Sequence, residues 1–320
     1  MKSVVFRMKH GNLGFFQVDD DKVHFVVKGG NGVFDADGCG LWDTWCRYGD
    51  TAGTQLDNQD VTPATIEFFL RQSAVTGEGV AELYEVKYPG VYYPRMMREN
   101  LRFTHRGPSF LQDMRAYQNI QSSLDNLFNF IEPVEINLTT YGHKIRELLI
   151  LACTEVEYLL LKTLTENGYQ EKSRYSTWDY IKCRDVLKLN KYETKLIQYS
   201  DLKVFAPFKD WSNEKGKTTE SIPWYDAYNR VKHNRNDNIS HANLEHLLDA
   251  ISAIHILLES QYGEGIFQSI FGQAEHKSLF STLKRPIWEL HQINAPILID
   301  SYPLETEWIA MRKYFEDYPI

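Results

Sequence analysis

Between Trp224 and His241 the chain reads WYDAYNRVKHNRNDNISH, which places Arg230, Lys232, His233, Arg235 and His241 among Asn229, Asn234, Asn236 and Asn238. These side chains can hold a phosphate or move a proton. Arg235 keeps its charge and offers a planar fork of donors, suited to a phosphate whose charge grows in a transition state. His241 can act as a general base if its imidazole is neutral. Together they can hold an RNA phosphate: His241 takes the proton of a 2′-hydroxyl, Arg235 steadies the phosphorane, and neither needs a metal or a cofactor. Arg230, Lys232 and His233 add cations for binding, and His233 competes with His241 for the role of base. The bland alternative is that Arg and His stand at a helix turn as caps and surface charges.

The pattern around the stretch predicts how it is held. Ile222-Pro223 leads into a helix over WYDAYNRVKHNR, and HANLEHLLDAISAIHILLESQY carries Leu244, Leu247, Leu248, Ile251, Ile254, His255 and Leu258 on one side until Gly263. The short NDNIS link makes the two an antiparallel hairpin. In this reading Arg235 ends the first helix and His241 opens the second. Asn238 or Ser240 serves as its cap, and the positive end of the helix dipole keeps His241 neutral.

Two further helices precede the hairpin. One follows Ser109, with Phe110, Met114, Tyr117, Ile120, Leu124 and Leu127 at steps of three and four. The other starts near Thr139 or Thr140 and carries Ile145, Leu148, Leu149, Ala152, Val156, Leu159, Leu160 and Thr163 until Asn167-Gly168. Glu155 and Glu157 fall at the edges of that stripe, as surface charge or as a carboxylate that pairs with the basic stretch. Short helices are predicted over TWDYIKCRDVLKL and KYETKLIQYS. His246 and His255 have no ligand spacing and read as a surface and a core-edge residue.

Upstream, residues 1 to about 35 read as strands broken by His-Gly-Asn and Gly-Gly-Asn-Gly turns, with Asp19, Asp20 and Asp21 as a solvated turn. The glycines match neither a P-loop nor a dinucleotide fingerprint. Thr62 caps a helix opened by Pro63, and ELYEVKYPGVYY is a strand with a Pro89-Gly90 turn. A second basic segment follows, with Arg95, Arg98, Arg102, Arg106, Lys87 and His105. It is either a polyanion surface or a solvated linker. Downstream, LFSTLKRPIWEL and APILID read as extended and TEWIAMRKYFEDY as a short helix. The predicted fold class is α+β: a β-rich N-terminal domain over 1–105, a helical bundle over 106–262, and a mixed tail over 263–320 packing on the body.

The formal charge is −8 and the sequence pI about 5.7, so a polyanion must be held by a local patch. The 19 Tyr and 17 Phe supply cores and interfaces. Cys39 and Cys46, with six residues between them, lack the second pair that a structural zinc site uses, and Cys153 reads as a buried thiol. The basic start has no apolar segment behind it, and no apolar run reaches membrane-spanning length. The expectation is a cytoplasmic protein off the membrane.

The residues Arg235, Asn236 and His241, written RNDNISH, resemble the motif of ribonucleases of the HEPN (higher eukaryote and prokaryote nucleotide-binding) superfamily. That motif is Arg, often a polar residue, four to six residues in all, then His. YNRVKHNR before an Ala/Leu-rich helix is similar to HEPN proteins of prokaryotic defence and toxin-like systems, and the resemblance spans about residues 109–262. It implies an α-helical bundle, RNA as partner, a homodimer whose two motifs face one cleft, and metal-independent cleavage leaving a cyclic phosphate. The catalytic set it implies is Arg235, His241 and Asn236, with Lys232, His233, Arg230 and Glu157 binding substrate. In many relatives the motif is degraded, so a non-catalytic module that binds RNA or a partner protein is the alternative. A third reading makes the N-terminal region the working part.

Overall fold

The computed structural model describes residues 1–28, 35–42, 45, 60–72, 79–98, 107–267, 277–299, 305–307 and 310–319. The fold is mixed α+β with an antiparallel sheet at the N-terminus. The chain divides into two compact units. The first contains residues 1–93, 98–104 and 288–312; the second contains 94–97, 105–287 and 313–320. The segment after 262 is therefore shared between the units.

The first unit is built on strands β1 (Lys2–Met8), β2 (Leu13–Asp19), β3 (Lys22–Lys28), β4 (Asp35–Leu41) and β5 (Val80–Glu85), in the order β4-β3-β2-β1-β5. Side chains alternate across a sheet, and here both faces are covered. Val4, Phe6, Phe16 and Phe25 pack on one side against Ile66, Phe69 and Leu70 of helix α1 (Pro63–Gln72). Val5, Phe15 and Val26 pack on the other against Trp288, Leu290, Ile293 and Leu298. Burial on both faces explains why β1 and β2 read as apolar runs without polar alternation. Gln17 crosses to the second layer: its amide donates to the Pro296 carbonyl and accepts from the Leu298 N–H, so the polar group is satisfied inside the core. The acidic triplet forms the β2–β3 turn with Asp20 at φ 50°. Thr62 does accept from the Thr65 N–H at 3.3 Å. Short strands β6 (Val91–Tyr92), β9 (Ile297–Ile299), β10 (Glu305–Glu307) and β11 (Ala310–Met311) complete this unit.

The second unit holds α2 (Pro108–Phe128), α3 (His143–Glu166), α4 (Thr177–Val186), α5 (Pro223–His233), α6 (Arg235–Asn238), α7 (Leu244–Tyr262) and α8 (Tyr314–Asp317). Each apolar position expected on α2 and α3 is buried. Helix α7 departs from the one-sided stripe. Every residue from Ala250 to Tyr262 is buried, because α2, α3 and α5 all pack on it. Its polar side chains survive there through specific partners, such as Ser252 with Thr194 at 2.8 Å.

Two expectations need correction. KYETKLIQYS is not a helix: Glu193–Leu196 is strand β7, antiparallel to β8 (Phe280–Lys284). Tyr192, Thr194 and Leu196 are buried while Glu193 and Lys195 are half-buried, a period of two that charge content masked. TEWIAMRKYFEDY likewise supplies β10 and β11 before its final helix. Among the described residues, no helix is long and apolar enough to cross a membrane.

Candidate functional site

Pro223 starts α5 at a position where the lost N–H costs nothing. Trp224, Tyr225, Ala227, Tyr228 and Val231 turn inward, and the Trp224 indole donates to the Pro207 carbonyl at 2.9 Å. Asp226 and Arg230 lie outward one turn apart and pair at 2.7 Å. Arg230 is thus engaged along its own helix.

The hairpin turn differs from the expectation. Helix α5 ends at His233, and Asn234 breaks it at φ −139°, ψ 88°. Arg235 does not end that helix but opens the short α6, which Asn234 and Asn238 tie down. The Asn234 amide donates to Asp237 at 2.7 Å and the Asn238 amide to the Asn234 carbonyl at 2.9 Å. His241 closes a 3-10 turn over Ile239–His241, ahead of α7. The cap of α7 is Asn243, not Asn238 or Ser240: its side chain accepts from the His246 N–H at 2.9 Å. The next α7 amides are also used, Leu244 N–H by the Thr140 carbonyl and Glu245 N–H by that of Leu138. His241 therefore stands before the cap, outside the first turn, and the helix-dipole argument for its neutrality fails.

The histidine that does occupy that turn is His246. Its Nδ1 lies 2.8 Å from the His241 carbonyl, which can only accept, so Nδ1 carries the proton. Burial, foremost, holds the His246 pKa below its ordinary value.

The predicted residues fall into engaged and open groups. Arg235 and Asn236 are exposed and His241 is half-buried. Among the described residues, neither the Arg235 guanidinium nor the His241 ring makes a hydrogen bond or ion pair. His233 is exposed. Lys232 donates to the Tyr228 hydroxyl at 2.7 Å, and its ammonium sits 4.8 Å over that ring. The Tyr228 bond is the main cause of its raised pKa, with the Glu157 field adding and Arg174 opposing. Glu157 reaches α5 through tyrosines: Tyr225 donates to it at 2.5 Å and Tyr228 at 3.5 Å. Burial, then Glu157, drives the Tyr225 phenol well above its usual range.

Three neighbours escaped the sequence reading. Arg146 of α3 donates through Nε and Nη2 to the Val231 carbonyl, at 3.1 and 3.0 Å, satisfying the carboxyl end of α5. Arg174 adds a positive field that opposes the rise in the Lys232 pKa. Tyr228 holds Lys232, and its i,i+4 spacing was the one local signal available.

The second basic segment is not a polyanion surface at its two described arginines. Arg95 is buried on Asp113 at 2.8 Å, and Arg98 lies 4.8 Å over the Trp288 ring. Arg102, His105 and Arg106 lie outside the described residues, as do Cys46 and the Cys39 side chain. Cys153 and Cys183 are buried free thiols. His255 is not at a core edge but 1% exposed within α7. No family model, curated protein or solved structure matches the chain.

Proposed function

We propose that this protein is a metal-independent endoribonuclease of HEPN type, acting on cytoplasmic RNA in prokaryotic defence or toxin-like growth control, with the α5–α7 hairpin as its site. One observation carries the reading: Arg235 and His241, the pair the chemistry needs, are left unengaged among the described residues, while Arg230 beside them is tied to Asp226. In this scheme His241 removes the 2′-hydroxyl proton, and the 2′-oxygen attacks the adjacent phosphorus. Arg235 holds the charge that grows on the phosphoryl oxygens. The 5′-oxygen leaves with a proton from water, the hydroxide so formed takes the proton back from His241, and a cyclic phosphate remains. Lys232 and His233 contribute to backbone binding, and Asn236 flanks the scissile phosphate. A homodimer would set two such hairpins at one cleft.

The test is cleavage of a mixed RNA pool in EDTA. Product is expected from the parent protein and not from Arg235→Ala or His241→Ala; cleavage unchanged in both variants would falsify the assignment. One observation favours a second reading, an RNA-binding module without turnover. The His241 ring has no orienting partner among the described residues, whereas a catalytic base is ordinarily oriented by a third group. That reading predicts salt-dependent binding without product, its logarithmic salt slope shrinking by about one when Lys232 or Arg235 is removed.

A further inference from the structure

The helical unit contains a second set of proton-handling groups, far along α7 from the hairpin turn. His255 contacts the Ser278 hydroxyl through Nδ1 at 2.8 Å and the Thr282 hydroxyl through Nε2 at 2.9 Å. Thr282 donates to Glu259 at 2.7 Å. Arg285 binds both oxygens of that carboxylate, at 2.7 and 3.1 Å, and with Thr282 opposes the rise that burial gives its pKa, which favours the acceptor form.

Donor counting then orients the whole chain. Thr282 has one proton and spends it on Glu259, so His255 Nε2 must donate to Thr282. Nδ1 is consequently the lone pair, and the Ser278 hydroxyl donates to it. Ser278 Oγ accepts in turn from the Phe280 N–H at 3.1 Å and from Tyr117, whose hydroxyl is 2.9 Å away. The result is a directed path, Ser278 to His255 to Thr282 to Glu259. A serine hydroxyl gives its proton to an imidazole, whose other nitrogen is backed by a carboxylate through one hydroxyl. Burial foremost, and Arg285 next, lower the His255 pKa to about 3, which leaves Nδ1 unprotonated at neutral pH and also disfavours the imidazolium, so the proton must pass on to the leaving group without resting on the ring.

Ser278 is half-buried and lines an open groove beside Gln118, Gln121, Ser122, Asp125 and Gln198. It also lines an adjoining cavity of about 70 Å³ walled by Phe128, Leu196, Ile197, Tyr199 and Leu279, with Asp125 and Gln198 at its polar side. The segment is held in place by Gln121, which donates to the Lys277 carbonyl at 3.0 Å and accepts from the Leu279 N–H at 2.6 Å.

We propose that Ser278 is a nucleophile for acyl transfer, with His255 as its base, acting on small carboxylic esters whose apolar acyl group enters the cavity behind it. Ser278 Oγ gives up the bond from Tyr117 to free a lone pair and bonds to the carbonyl carbon, whose π pair moves to oxygen, as its proton passes to His255 Nδ1. The ester C–O bond breaks and the departing alcohol takes that proton. Water then attacks the acyl-serine, giving a proton to Nδ1 and its hydroxide to the acyl carbon. The acid leaves, and the proton returns to Ser278. Thr282, held by Glu259, positions the imidazole.

The full chain is treated with a fluorophosphonate probe and followed by intact mass and peptide mapping. One adduct is expected, on Ser278, and none in Ser278→Ala with an unchanged melting curve. An unlabelled parent protein, or an adduct that survives Ser278→Ala, overturns the proposal. Thr282→Val, which cuts the link to Glu259, should label roughly tenfold more slowly; an unchanged rate removes the relay. If Ser278→Ala loses its cooperative melt, Ser278→Cys decides. A new thiol alkylated by iodoacetamide roughly tenfold faster than free cysteine supports the relay, and one no faster than free cysteine refutes it.

Discussion

Arg95 and Arg235 belong to the same helical unit and have opposite fates. Arg95 is 2% exposed and sits in the left-handed region at φ 56°. Its guanidinium donates to Asp113, Gln261, Ser109 and Glu166, at 2.6 to 3.1 Å. Arg235 is exposed at a helix break and spends none of its donors on a described residue. A cation leaves water only where its donors are met, so saturation marks Arg95 as architecture. An unspent fork at a turn is available to an anion. The contrast also explains why a density of basic residues misleads: it weights both segments alike, while partners separate them.

The comparison breaks most visibly at Arg95. Arg95→Met strands the Asp113 carboxylate in the core and should cost about 3–5 kcal/mol. The double variant with Asp113→Leu should recover most of that loss. Urea unfolding measures both, and a single-variant loss under about 1 kcal/mol would show that the network carries little. Arg235→Ala should leave stability within about 0.5 kcal/mol and lower RNA cleavage by about 10²–10³-fold. Equal losses of stability and cleavage would erase the distinction between the two arginines.

Glu155 sharpens the buried side through pH. Its pKa is raised to about 7, first by burial, then by Asp113, with Arg95 opposing. The folded state thus holds this proton more tightly than the unfolded state does. The contribution to stability is full below the ordinary carboxylate range, falls as pH rises toward 7, and is lost above it. Solvent screening of this partly exposed side chain reduces its size. Melting curves from pH 4 to 8 should decline more steeply for the parent than for Glu155→Gln; parallel curves would contradict the assignment. The smallest effect belongs to Arg230→Ala, which removes an exposed i,i+4 pair worth about 0.3–0.5 kcal/mol. It should cut RNA at the parent rate, whereas a loss matching that of Arg235→Ala would move the site up the helix.

Much of the scaffold was legible. The period of Phe110 to Leu127 and of Ile145 to Thr163 marks two helices whose predicted faces are the buried ones, because packing follows the helical repeat. Strand β7 was missed because four residues of alternation compete poorly with charged, helix-tolerant neighbours. At the site, the composition of Trp224 to His241 drew attention to the hairpin. The turn inside it was misplaced: Asn238 or Ser240 was the cap expected from sequence, whereas Asn243 caps the helix where the Thr140 and Leu138 carbonyls take its first amides.

By itself, the sequence determined the helical stripes, the β-rich start and the concentration of phosphate-compatible side chains between Arg230 and His241, since periodicity and side-chain chemistry are local properties. Only the tertiary structure decided which of those groups stay open. It buried Arg95 on Asp113, drew Glu157 onto Tyr225 and Tyr228, and left Arg235 at a helix break. It also aligned Ser278, His255, Thr282 and Glu259, which no sequence spacing announces. Engagement depends on distance to residues remote in the chain, and burial makes each such partnership obligatory.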